Sequence, residues 1–91
     1  MNLTKEDKIK KFYTIAFSIK NSGHCFGVTK AFVEDLISSE FNVVALSAID
    51  RIYFELIKAK FIFSGLNGIK ANPRLENEFK HFSEKLKGKG G

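Results

Sequence analysis

The sequence has no tryptophan, one proline, one methionine and a single cysteine in 91 residues. One thiol, Cys25, excludes an internal disulfide, and no Cys/His spacing suited to zinc surrounds it, since a structural site takes four ligands and a catalytic one three. His24 and Cys25 read as a loop histidine and a half-buried thiol, with His81 on a separate helix, so no metal is expected. No apolar run approaches the roughly 20 residues of a membrane span. The opening MNLTKEDKIKK has neither an apolar h-region nor a small-residue cleavage site, and a cytoplasmic protein is expected. Nucleophile-elbow, phosphate-loop and paired-carboxylate patterns are also missing. The chain therefore reads as a non-enzyme without a cofactor.

What the sequence does have is apolar bulk and positive charge. A 44% apolar composition with ten Phe suffices for one packed core in one domain spanning residues 1–91. The net charge is +5, unevenly spread: residues 1–20 carry +3, residues 21–57 carry −3 and residues 58–91 carry +5. Two basic ends enclose an acidic middle, which favours an anionic partner reached mainly through the ends.

Periodicity predicts four helices and a hairpin. Thr4, with an acid three residues on, caps a first helix to about Lys20, whose stripe of Ile9, Phe12, Tyr13, Ala16 and Ile19 faces the core. Aromatics at this spacing indicate core packing and not base stacking. Thr29 caps a short second helix that buries Phe32, Val33, Leu36 and Ile37 and ends over Ser38 to Glu40. Asn42 is expected to cap a third, longer helix with Ala45, Ile49, Ile52, Tyr53, Leu56 and Ala59 inward. Phe54, at the edge of that stripe, is expected to reach the core by a slight rotation.

At Phe61 the period changes from helical to β. Asn67-Gly68 predicts a two-residue type I′ bend, which sets Leu66 opposite Ile69 and Phe63 opposite Asn72, with Pro73 ending the ladder. Asn72 and Pro73 then open a last helix to about Lys87, whose seam is Leu75, Phe79, Phe82 and Leu86. Residues 1–3 and the glycine-rich end, 88–91, are expected to be flexible.

The stretch Ser47 to Ile62, SAIDRIYFELIKAKFI, together with the order helix, helix, helix, hairpin, helix, resembles the winged helix-turn-helix DNA-binding superfamily. The matching positions are Ser47, Ile49, Arg51, Ile52, Leu56, Ala59 and Ile62, and Lys60 stands where the family usually has glycine. The resemblance implies a mainly α fold with a minor β part: a three-helix core, a two-stranded wing and a C-terminal helix. It also implies a transcriptional regulator, of the kind found in phages, plasmids and microbes, that binds double-stranded DNA.

In that arrangement the third helix enters the major groove and the wing, Ile62 to Asn72, follows the backbone or the minor groove. Val44, Ser47, Ala48 and Arg51 would face the bases, Arg51 able to grip guanine and Val44 and Ala48 able to touch thymine methyls. Asn67, Lys70 and Arg74 would hold phosphates. The seam of the last helix would either pack against its own domain or join two copies; the homodimer is expected, with recognition helices about one DNA turn apart, ~34 Å. Two alternatives stand beside this. One is the same fold used to bind a protein, such as a phage-encoded inhibitor of a host complex. The other is a four-helix immunity-type bundle in which KAKFIFSG continues the third helix.

Overall fold

The structure, a computed structural model, describes residues 4–22 and 27–89. The expectations for residues 1–3, for His24 and Cys25, and for Gly90 and Gly91 lie outside that range. The elements are α1 (Lys5–Lys20), α2 (Lys30–Phe41), α3 (Leu46–Lys58), β1 (Ile62–Gly65), β2 (Gly68–Ala71) and α4 (Leu75–Lys89). The fold is thus mainly helical with one small antiparallel sheet. The hairpin removes the four-helix alternative, because residues 62–65 and 68–71 pair as strands and do not prolong α3.

α1 is the hub, packing on α2, on β2 and on α4. Its start is fixed as expected: the Asp7 N–H donates to Thr4 Oγ1 at 3.1 Å. Phe12, Tyr13, Ala16 and Ile19 are buried, and so is Ile15, which the narrow stripe omitted. An apolar face that meets neighbours on several sides has to be wider than one seam. Phe61 packs edge-on against both Phe12 and Tyr13, at 5.4 and 4.8 Å between ring centroids. Burial, with a further contribution from the Glu78 carboxylate, raises the Tyr13 phenol above its ordinary pKa.

α2 begins as expected, with the Phe32 N–H on Thr29 Oγ1 at 3.1 Å. Its end differs. Asn42 does not cap α3; it takes a left-handed conformation, φ 53°, and closes α2, its N–H donating to Ser38 O. Asparagine suits both jobs, since its short polar side chain tolerates positive φ. α3 consequently begins at Leu46 behind Ala45, which makes no side-chain cap bond. Ile49, Tyr53 and Leu56 are its buried positions, while Ala45 and Ala59 are exposed.

α3 ends in a Schellman motif. The Phe61 N–H reaches Leu56 O at 2.9 Å and the Lys60 N–H reaches Ile57 O at 3.0 Å. Lys60 takes the left-handed position between them, φ 66°.

The strands pair Ile62 with Ala71, Phe63 with Lys70, Ser64 with Ile69 and Gly65 with Gly68. The bend is therefore Leu66-Asn67 and not Asn67-Gly68. Neither bend residue has positive φ, so it is not type I′; Gly68 carries the positive φ, 139°. Ile62 and Ile69 face the core, and Phe63 and Lys70 face out. Val28 joins from the other side of β2, exchanging hydrogen bonds with Ile69 at 2.8 and 2.9 Å.

α4 opens on an asparagine turn in which the Arg74 N–H donates to Asn72 Oδ1 at 2.8 Å. It continues to Lys89, two residues into the stretch expected to be loose. Leu75 is wholly buried in its own domain. Phe79 packs edge-on against Tyr13 and Phe17, at 5.1 and 5.4 Å. Phe82 lies 5.4 Å from Tyr13. The seam is thus engaged within the chain first, and Leu75 has no surface left for a second copy.

Candidate nucleic-acid interface

α3 turns one row of side chains outward: Ser47, Arg51, Phe54 and Lys58 are all exposed. These positions differ by four, three and four residues, which is one helical face opposite Ile49, Tyr53 and Leu56. Ala48 is only half-exposed, turned toward the flank of that row. Val44 is 90% exposed but sits in the turn before α3 and not on the helix, because the helix begins two residues later. The expected core role of Phe54 is overturned, since 63% of its surface is open. Its ring lies 5.7 Å from that of buried Tyr53, packed edge-on at the rim.

Two carboxylates on α3 would oppose an anionic ligand if left uncompensated. Both are compensated from neighbouring helices. Lys30 of α2 pairs with Asp50 at 3.6 Å and covers the Tyr53 ring at 5.1 Å. Lys8 of α1 pairs with Glu55 at 2.5 Å. Elsewhere Lys11 pairs with Glu40 at 3.9 Å and Lys20 with Glu76. Exposed pairs of this kind add little stability, typically 0–1 kcal/mol. Their effect is on the field: Glu40, Asp50 and Glu55 of the middle segment are matched by lysines of α1 and α2.

The cations that remain fall in two sets: Lys5, Lys10, Lys80, Lys85 and Lys87 lie on α1 and α4, and five others lie along α3 and around the hairpin. Arg51, Lys58, Lys60, Lys70 and Arg74 are exposed and form no ion pair among the described residues. Asn72 draws two of them together. It is 6% exposed, and its Nδ2 donates to Lys60 O at 2.7 Å while its Oδ1 accepts the Arg74 N–H at 2.8 Å. Its own N–H donates to Phe61 O at 3.0 Å. One side chain thereby sets the end of α3 beside the start of α4, with Lys60 and Arg74 on either side. Lys70 projects from the outer face of the hairpin, opposite Phe63.

Asn67, in the bend, is exposed, and Leu66 beside it is fully exposed at 106%. Of the residues expected at the interface, Ser47, Arg51, Asn67, Lys70 and Arg74 are at the surface on α3 or around the hairpin. Lys58, Lys60, Phe54 and Leu66 join them unforeseen. The lysines were visible in the charge count, but the placing of Lys60 beside Arg74 was not, because it depends on Asn72 closing the junction.

Among the described residues no group of three or more His, Cys, Asp or Glu is placed to hold a metal ion. None of the helices is long and apolar enough to cross a membrane. Comparison with protein-family models, with curated proteins and with solved structures found no match.

Proposed function

We propose that this is a winged-helix protein that binds double-stranded DNA as a dimeric transcriptional regulator, α3 reading the major groove and the β1–β2 hairpin acting as the wing. The observation that carries the reading is that Arg51 and Lys58 on α3, Lys60 at its exit, Lys70 on the hairpin and Arg74 before α4 are exposed without an ion pair among the described residues, beside a helix whose own acids are held by lysines. Phosphate neutralisation supplies most non-specific affinity, and Lys58, Lys60, Lys70 and Arg74 are the residues to provide it. Arg51, on the outward row of α3, is the side chain suited to a bidentate grip on guanine.

Titration of mixed duplex DNA at two salt concentrations tests this. Binding is expected to weaken steeply with salt, and reversing Lys70 and Arg74 together to Glu is expected to lower the slope of log K against log salt by roughly 2. Arg51→Ala is expected to relax preference at one base pair, at a cost of about 1–3 kcal/mol on the best site. No duplex binding at low salt would refute the reading.

A second reading has its own observation. Val44, Leu46 and Phe54 are 90%, 71% and 63% exposed, a concentration of apolar side chains around α3 that fits a protein partner. Stoichiometric capture of one protein, together with failure to bind duplex, would favour it.

A further inference from the structure

We infer that Leu66, at the tip of the β1–β2 hairpin, is an apolar wedge that enters the minor groove and partly unstacks a flexible base step, bending the duplex. The inference rests on the DNA-binding reading above and extends it to the kind of duplex preferred. Leu66 is fully exposed, at 106%, although a leucine in a bend has no folding role that demands exposure. Behind it Gly65 and Gly68 face each other across the ladder, so the neck of the hairpin carries no side chains there. The leucine side chain at the tip is small enough for the minor groove, about 6 Å wide, while the two-stranded ribbon behind it stays outside.

Polar groups around the tip suit the same groove. Asn67 follows Leu66 in the bend and can donate to the adenine N3 and thymine O2 acceptors that line A·T pairs. Lys70, on the outer face two pairs beyond the glycines, is placed for the bordering phosphate. The hairpin is also braced against being pushed back: β2 is bonded to β1 on one edge and to Val28 on the other. Proteins that insert Leu, Phe, Ile or Met in this way kink DNA, and pyrimidine–purine steps yield most readily. The expected preference is therefore for an A·T-rich site with a TA step under the wing.

The test uses the full chain and a short duplex labelled at both ends for energy transfer, with 2-aminopurine next to a central TA step. Wild-type protein is expected to bring the ends together, by a bend of at least about 20°, and to brighten the 2-aminopurine. Leu66→Ser is expected to lose both signals and the preference for TA over AA, on the order of tenfold in affinity, while keeping the salt slope. Leu66→Met is expected to retain all three. Salt-sensitive binding by the wild type without bending, or a Leu66→Ser protein that still bends the duplex, overturns the wedge and leaves the DNA-binding reading in place. Absence of duplex binding by the wild type overturns both.

Discussion

Lys60 is where a single residue carries two opposing demands. It holds φ 66° at the end of α3, a conformation that costs an L-residue about 1–2 kcal/mol and costs glycine almost nothing. Its carbonyl is fixed by Asn72 while its ammonium stands among the unpaired cations. Lys60→Gly is therefore expected to raise stability by about 1 kcal/mol, partly offset by the greater freedom of glycine in the unfolded chain. A shift in melting temperature of about 4–8 °C per kcal/mol makes this measurable on a domain of this size. On the DNA-binding reading the same change weakens duplex affinity. A variant that is less stable than wild type would show that the left-handed backbone here is not strained.

Among the elements, the hairpin shows how far the sequence could be read and where it could not. The change of period at Phe61 and the two threonine caps were legible because each rests on local chemistry. The register was not, because the expected and observed pairings differ by two residues and so leave Ile62 and Ile69 on the same face in both. Burial cannot separate two such registers. The observed one sets Ile62 opposite Ala71, where the expected one would set it opposite Pro73, which has no N–H to give. The unforeseen bridge from Val28 adds two bonds to Ile69 in that arrangement.

Gly27 makes that bridge possible. It has φ 107°, and a Cβ there would lie 2.9 Å from backbone atoms of Gly68 and Ile69. Gly27→Ala is expected to destabilise by about 1–3 kcal/mol. Amide exchange at Val28 and Ile69 should accelerate more than in α1, because the loss is local to the sheet edge. Uniform acceleration would mean that the bridge and the helices open as one unit.

At the scale of the whole molecule the issue is how many copies act together. α4 spends its seam on α1, yet Phe79 remains exposed and Phe82 and Leu86 are only half-buried. A second copy would have to use this remnant together with the neighbouring surface of α1. Sedimentation equilibrium of the wild type is expected to show a concentration-dependent dimer, and Leu86→Glu a monomer with unchanged helix content. A wild type that stays monomeric at its highest soluble concentration removes the dimer and, with it, the expectation of a palindromic site.

The clasp made by Asn72 has a consequence for how such a molecule would meet its ligand. With the exit of α3, the root of the hairpin and the entry to α4 all bonded to one buried asparagine, the span between α3 and the ribbon works like a locked calliper. Little freedom is left to surrender on association, which favours tight docking from a small surface. A locked calliper also cannot adjust to its object: on the DNA-binding reading, wherever groove spacing disagrees with the setting, it is the duplex that has to give.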